Sequence, residues 1–217
     1  LVGIIAEDRR TGQTFHRVHV QGTEAVVSAA RSAGLRRLVH MSALGARQDA
    51  PAQYHRTKWA GEQVVRNSGL DWTIFRPGVI HGPDGQFMQM IAWFCRHRLR
   101  VPAMPCLGRG SAQIQPVWVQ DVATCLVRAL DLPETIGKAY DLGGPERYSW
   151  RQFYQLCSRV LVGQSRAQLS VPVPIAKLLA RTVMPLVPRW FMPHTFNVDQ
   201  VLMSQEDNTC DPQPAED

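Results

Sequence analysis

Short apolar runs alternate along the chain with longer stretches in which apolar residues recur every three or four positions, and this alternation sets the expected elements. Leu1-Val2-Gly3-Ile4-Ile5-Ala6 reads as a buried strand. After a polar turn from Glu7 to Gly12, Val18, Val26, Val27 and Ala30 fall at helical spacing, and Gly34 supplies the stop. Arg37 to Ser42 is a short strand opening into a loop that contains glycine. Tyr54 to Arg66 is a second helix, ended by Asn67-Ser68-Gly69, and Asp71 to Arg76 is a further strand closed by Pro77-Gly78. The order strand, helix, strand, helix, strand predicts right-handed crossovers and a parallel sheet with helices on both faces.

The second half has a different texture. Gln86 to Arg96 is an apolar helix, followed by a stretch rich in Pro and Gly (Pro102, Pro105, Gly108, Gly110). Val117-Trp118-Val119 is a short strand, and Asp121 is placed to cap a helix running through Leu130. Ala139 to Leu142 is a strand turned by Gly143-Gly144-Pro145, and Ser149 caps a helix that ends near Leu161. Proline then alternates with apolar residues up to a polar tail, expected to fray, from Gln205. This half is expected to form a smaller lobe covering the open edge of the sheet.

Composition narrows the class. The 217 residues are 45% hydrophobic and 19% charged, which excludes a disordered tail, a collagen-like repeat and a coiled coil. The best apolar run, Ile175 to Pro188, is broken by Lys177, Arg181 and Pro185, too short and too charged for a transmembrane helix. Five scattered cysteines without Cys-x-x-Cys spacing read as reduced thiols of a cytosolic protein. The net charge is +6, and 21 of the 24 basic residues are arginines dispersed among 18 acids. The densest group, Arg96-His97-Arg98-Leu99-Arg100, follows an apolar helix as its solvated end. A nucleic-acid partner is not expected, and charge alone supports an anionic membrane surface or an acidic partner no better. The chain opens in mid-strand, with neither Met nor a basic leader, and is read as lacking an N-terminal part.

The most informative chemistry lies in Tyr54-His55-Arg56-Thr57-Lys58. Four-residue spacing puts the phenol and the ammonium on one helix face. A phenol has a reference pKa near 10, and a neighbouring ammonium is expected to lower it toward the working range of an acid–base. Ser42 ends a predicted strand 12 residues earlier, where ligands of parallel sheets bind. At Arg76-Pro77-Gly78-Val79-Ile80-His81-Gly82-Pro83 the Pro and Gly allow a flat ligand to approach the backbone, with amides left free to bond it. His81 either faces substrate or is structural. His16 and His19 are three apart on a helix, but no carboxylate or thiol cluster completes a metal site, and none is expected. Ile175 to Arg181 and Trp190-Phe191-Met192 either dock on a membrane surface or pack over a substrate cleft.

The ordered set of a strand-end Ser42, Tyr54-x-x-x-Lys58 and Arg76-Pro77 through Gly82-Pro83 resembles the extended, atypical branch of the short-chain dehydrogenase/reductase superfamily. Val20-Gln21-Gly22-Thr23, Val119-Gln120-Asp121-Val122-Ala123 and Asp141-Leu142-Gly143-Gly144-Pro145 extend the match. Asp199-Gln200-Val201 with Asp207-Asn208 is similar to the subgroup related to the nucleotide-binding accessory subunit of respiratory complex I. The resemblance implies an α/β fold, a Rossmann-type doubly wound parallel sheet lacking its first βαβ units, with a small C-terminal α/β lobe. It implies boundaries at 1–100 for the C-terminal part of the nucleotide-binding domain, 101–204 for a substrate or cap lobe interleaved with the last strands, and 205–217 for the tail.

For function, the resemblance implies NAD or NADP as cofactor, and an oxidoreductase or epimerase/dehydratase-like activity on a small-molecule substrate. Tyr54 would be the acid–base, Lys58 would hold the nicotinamide ribose, and Ser42 would position the reacting oxygen. Pro77, Gly78 and Val79 would contact the nicotinamide side, Gly3 would lie near the adenosine half, and His81 would face substrate. Two departures stand out. His19 occupies the place of a helix Asn that supports the Lys in many members, and no Gly-x-x-Gly-x-x-Gly phosphate loop is present. The alternative is a non-catalytic nucleotide-binding subunit or assembly factor of a respiratory or membrane-associated complex. On either reading the protein is expected in the cytoplasm or peripheral at the inner membrane.

Overall fold

The computed structural model describes residues 3–8, 11–97, 102–187, 196–211 and 215. A π-helical turn, His16–Gln21, runs into α1 (Gly22–Ser32), followed by β1 (Arg37–Met41), α2 (Gln53–Arg66), β2 (Asp71–Pro77), β3 (Ile80–His81) and α3 (Gln86–Arg96). Next come β4 (Met104–Leu107), β5 (Gln113–Ile114), β6 (Val117–Trp118), α4 (Val119–Asp131), β7 (Lys138–Leu142) and β8 (Tyr148–Ser149). The order closes with α5 (Trp150–Val162), β9 (Gln168–Val171), α6 (Val173–Thr182), a 3-10 turn Met184–Leu186 and α7 (Val198–Met203). By packing, the chain divides into two units: Leu1–Gly78 with Val117–Pro145 and Cys210–Asp217, and Val79–Pro116 with Glu146–Thr209.

In the first unit, β1, β2 and β7 form a parallel sheet in that order, with Val39 opposite Thr73 and Phe75 opposite Tyr140. Successive strand residues point to opposite faces. Arg76 reaches Glu62 on α2, whereas Phe75 stacks on Tyr140 and lines a cavity of about 160 Å³ with Thr124, Cys125 and Ala129 of α4. Helices α2 and α4 therefore cover opposite faces, the doubly wound arrangement that the crossovers predict. The π-helical turn lies close against α2 because Gly61 lacks a side chain: a Cβ there would meet the His19 carbonyl at 2.6 Å. Arg37 pins β1 to α4 and the following turn through Ala129 O, Thr73 Oγ1 and Thr135 Oγ1.

The second unit is built on α3 and α5. Ile91, Phe94 and Cys95 pack with Met104, Ile114, Phe153 and Cys157. Ser149 caps α5 as expected, its hydroxyl accepting from the Gln152 amide and the Gln152 side chain returning to the Ser149 amide. The stretch read as rich in Pro and Gly contains β4, which pairs in parallel with β9. A smaller cluster joins α6 to α7 through Ala176, Ala180 and Val201.

Three expectations are corrected. Residues 3–6 are not a strand, and Leu1 and Val2 lie outside the described residues. A strand needs a neighbour, and the N–H and C=O of Ile4 lie instead against the ring of His19, at 3.2 and 3.1 Å. Asp121 does not cap α4: the helix starts at Val119 after Trp118, which leaves Asp121 in the first turn, where its charge suits the helix N-terminus. The tail is not frayed at its start, since Asp207 Oδ1 accepts the Gln113 amide at 2.8 Å and Asn208 bridges to Ile114. Arg98 to Arg100 and Trp190 to Met192 lie outside the described residues.

Candidate functional site

Helix α2 brings two of the expected residues to one place. Lys58 lies one turn after Tyr54, and its stem carries the ammonium to the end of β1, where Nζ donates to Met41 O at 2.6 Å. Ser42 is the next residue. Its amide donates to Phe75 O at 2.7 Å, which fixes the strand end against β2. Its hydroxyl is buried without a hydrogen-bond partner among the described residues. An uncompensated buried hydroxyl costs about 1–3 kcal/mol, so Ser42, one residue after the carbonyl that Lys58 bonds, has unused hydrogen-bonding capacity.

Tyr54 is partly buried among rings, edge-on to Phe15, His19 and His55 at centroid separations of 5.9, 5.4 and 5.4 Å. His19 ties this group together. Its Nδ1 lies 2.9 Å from Thr57 Oγ1, and the Thr57 hydroxyl has Gln53 O and Tyr54 O, each at 3.0 Å, as acceptors for its own proton. The consistent tautomer has Nδ1–H donating to Thr57 and Nε2 accepting from the Ile4 amide. Gly3 is thereby held next to a residue anchored on His19. His16 is exposed while His19 is buried, so the two do not share a face as metal ligands would.

The expected turn after β2 is divided. Pro77 and Gly78 end β2 in the first unit, where Pro77 O accepts from the Leu44 amide at 2.9 Å. The Gly78 amide is not free for a ligand, because it donates to Leu142 O at 2.9 Å: the pairing of β2 with β7 continues one residue past the strand. Val79 and His81 fall in the second unit, Val79 against the α3–α5 core and His81 in β3.

Electrostatics corrects one expectation and adds residues that the sequence did not flag. Burial pushes the Tyr54 phenol up to about 12, and Lys58 donates to the Met41 carbonyl. Burial lowers Lys58 to about 8, with Glu62 opposing. His19 and His40 are each lowered to about 4, first by burial and then by the nearby Lys58 charge, which keeps both rings neutral at pH 7. Glu62, fully buried one turn after Lys58, accepts from Arg76 Nε at 2.8 Å and Nη2 at 2.6 Å, with Arg66 at 3.7 Å. Arg76 also lies 3.8 Å from Asp141. The signal for Glu62 was its spacing of four from Lys58. Phe15, Met41 and Thr57 had none, because their roles are set by backbone position and packing.

These groups fit the nicotinamide-ribose end of a dinucleotide. Lys58 Nζ has protons beyond the one given to Met41, and Ser42 Oγ lacks a partner among the described residues. A pyrophosphate cradle is not among them.

Comparison with known proteins bears on the family and the fold. A family described as NAD(P)H-binding matches residues 4–90, a span that includes Ser42, Tyr54, Lys58 and Pro77. The mitochondrial NADH dehydrogenase (ubiquinone) 1 alpha subcomplex subunit 9 of Arabidopsis thaliana is 31% identical over 212 residues, 93% of this chain and 50% of that protein. The NAD(P)H azoreductase of Xenophilus azovorans is 31% identical over 132 residues, 60% of this chain and 43% of the enzyme. The solved dTDP-glucose 4,6-dehydratase DesIV of Streptomyces venezuelae, with NAD bound, superposes with a TM-score of 0.62 at 22% identity, over 78% of this chain and 59% of its own. That likeness is one of fold. The chain spans half or less of the length of the curated relatives it matches.

Proposed function

We propose, for a chain that carries an NAD(P)H-binding domain homologous to the complex I alpha subcomplex subunit 9, that Lys58, Ser42 and Tyr54 serve the nicotinamide end of NAD or NADP and an oxygen of a small-molecule substrate. The bound dinucleotide would supply or accept hydride. Lys58 holds the ribose hydroxyls while keeping its bond to Met41 O. Ser42 takes the substrate oxygen into its unused hydrogen-bonding capacity. Tyr54, protonated at neutral pH, gives a proton to that oxygen as a carbonyl is reduced to an alcohol. Pro77 and Gly78 shape the wall beside the nicotinamide, and Gly3 lies toward the adenosine half. The observation carrying this reading is the Lys58–Met41 bond one residue before Ser42, whose buried hydroxyl has no partner among the described residues.

A second reading is a non-catalytic nucleotide-binding subunit of a membrane-associated respiratory complex, peripheral at an inner membrane. It is favoured by the complex I relatives and by Tyr54, which burial makes a poor base. Calorimetric titration with NAD and NADP, followed by a carbonyl-reduction panel, separates the two. Lys58→Met should weaken nucleotide binding roughly ten- to a hundredfold, the cost of a charged hydrogen bond. Tyr54→Phe should leave binding nearly unchanged and lower turnover roughly a hundred- to ten-thousand-fold. Turnover that survives Tyr54→Phe would remove the proton-transfer role, and nucleotide binding with no turnover across the panel would establish the second reading.

A further inference from the structure

Helix α6 is turned inside out relative to an ordinary surface helix. Its inward positions are alanines: Ala176 is fully buried and Ala180 nearly so, against Val201, with Leu107, Val171, Phe196 and Val198 around them. Its large apolar residues point outward. Ile175 is 50% exposed and Leu178 60%, and in the turn that follows Val183 is 42% and Leu186 81% exposed. A surface helix of a soluble protein normally puts its apolar stripe on the core and polar residues outside. At 100° per residue, Lys177 and Arg181 fall together on one flank of α6, between the buried alanines and the outward Ile175 and Leu178.

The sequence that carries this face is basic, with Asp199 on the neighbouring α7 the first acid after it. From Arg147 to Val198 there are 52 residues with no Asp or Glu and seven Lys or Arg. The whole excess of the chain sits in the second unit, which has eleven basic residues against five acidic ones, while the first unit balances at thirteen each. A partner for this face must therefore present apolar matter next to negative charge. A nucleic acid offers the charge without the apolar matter. An anionic bilayer offers both, with phosphates at the height of a cationic flank and acyl chains beneath. No described helix is long and apolar enough to cross a membrane, and the ten residues of α6 span about 15 Å, so the contact would lie in the plane of the interface.

We propose that α6 and the turn Met184–Leu186 are the surface by which the second unit docks on an anionic lipid bilayer. Ile175, Leu178, Val183 and Leu186 enter the boundary between headgroups and acyl chains, and Lys177 and Arg181 meet the lipid phosphates. This rests on the membrane-peripheral reading above and supplies its contact surface.

The test is co-sedimentation of the chain with vesicles of phosphatidylcholine alone or of phosphatidylcholine with phosphatidylglycerol. Binding is expected to the mixed vesicles, to weaken with added salt and to be small on phosphatidylcholine alone. Leu178→Asp with Leu186→Asp should weaken it at least about tenfold, because two exposed leucines no longer enter the bilayer. Lys177→Gln with Arg181→Gln should weaken binding to the mixed vesicles and remove most of its salt dependence. Both pairs change exposed or half-buried positions, and circular dichroism and a thermal melt check that the fold is kept; Leu178→Ser is the milder substitute should the aspartates unfold the chain. No binding to mixed vesicles, equal binding to both kinds, or binding indifferent to the leucine pair overturns the proposal. So does lipid-independent self-association abolished by Leu178→Ser, which would make a second copy the occupant. Nucleotide titration of the same samples reports separately on the nucleotide site, which none of these variants touches.

Discussion

Charged residues are handled in opposite ways in the two units. The first is neutral in sum and takes ionisable groups inside: Glu62 is fully buried, Lys58 is 6% exposed and His19 3%. Each has a specified partner, in Arg76, Met41 O, and Thr57 with Ile4. Among the described residues of the second unit, Arg166 is the buried cation, Glu206 buries one carboxylate oxygen, and the core is packed from Ile, Phe, Met and Cys. Removing an ion from water costs several kcal/mol unless the pairing is good. Buried, paired charge suits the polar ligand proposed for the first unit, and surplus charge with outward leucines suits the surface proposed for the second.

The largest effect should come from Arg76→Ala. It would leave Glu62 fully buried with only the longer contact to Arg66, a situation that costs about 3–5 kcal/mol. Arg181→Ala in the second unit should stay within about 0.5 kcal/mol. Urea denaturation measures both, and similar values for the two would end the contrast.

Acid should act next, through the first unit. The folded values of His19 and His40 are about 4 against 6.5 unfolded, so between these limits the unfolded chain binds more protons. Stability is therefore fully present above about pH 6.5 and declines as pH falls toward 4, by at most about 1.4 kcal/mol per pH unit for each ring. His19→Gln should remove its share of that slope in urea denaturation repeated across the window, and an unchanged slope would show that the ring is not buried neutral.

Gly61→Ala should cost about 1–3 kcal/mol by forcing a methyl against the His19 carbonyl, 2.6 Å away. A neutral melt would mean that the π-helical turn yields easily. The smallest effect sharpens the assignment of Lys58. The chain has three lysines, so reductive methylation with carbon-13 gives few side-chain signals to separate. The one lost in Lys58→Arg should titrate near pH 8, and lower still in Glu62→Gln, because the Glu62 charge favours the ammonium. A midpoint above 10 would place Lys58 in water.

Much of the first unit was legible because its elements are periodic and punctuated. Helix α2 declares itself by spacing and by Asn67-Ser68-Gly69, and Tyr54 with Lys58 needed only that helix to share a face. What was not legible depends on residues far apart in sequence. Glu62 and Arg76 belong to a helix and a strand, and nothing in either segment marks them as a pair. Strand β4 has four residues, two of which are Pro105 and Cys106, and it exists because Gln168–Val171 lies beside it. Asp207 and Asn208 read as a solvated tail until Gln113 and Ile114 are brought to them. The rise of the Tyr54 pKa was missed for a related reason: spacing on a helix reports which residues share a face, but not that one of them turns to a strand carbonyl.

The bond from the Ile4 amide to the His19 ring makes that amide a gauge. It belongs to no ladder, yet its proton is held by a buried nitrogen that also decides the ring's state. With the ring neutral, exchange of the Ile4 proton with deuterated water should be slow for so peripheral a segment. When the ring gains a proton, Nε2 becomes a donor, turns to the Ile4 carbonyl 3.1 Å away and releases the amide. One exchange rate, followed as the solution is acidified, would thus read out the ionisation of a histidine that carries no spectroscopic label of its own.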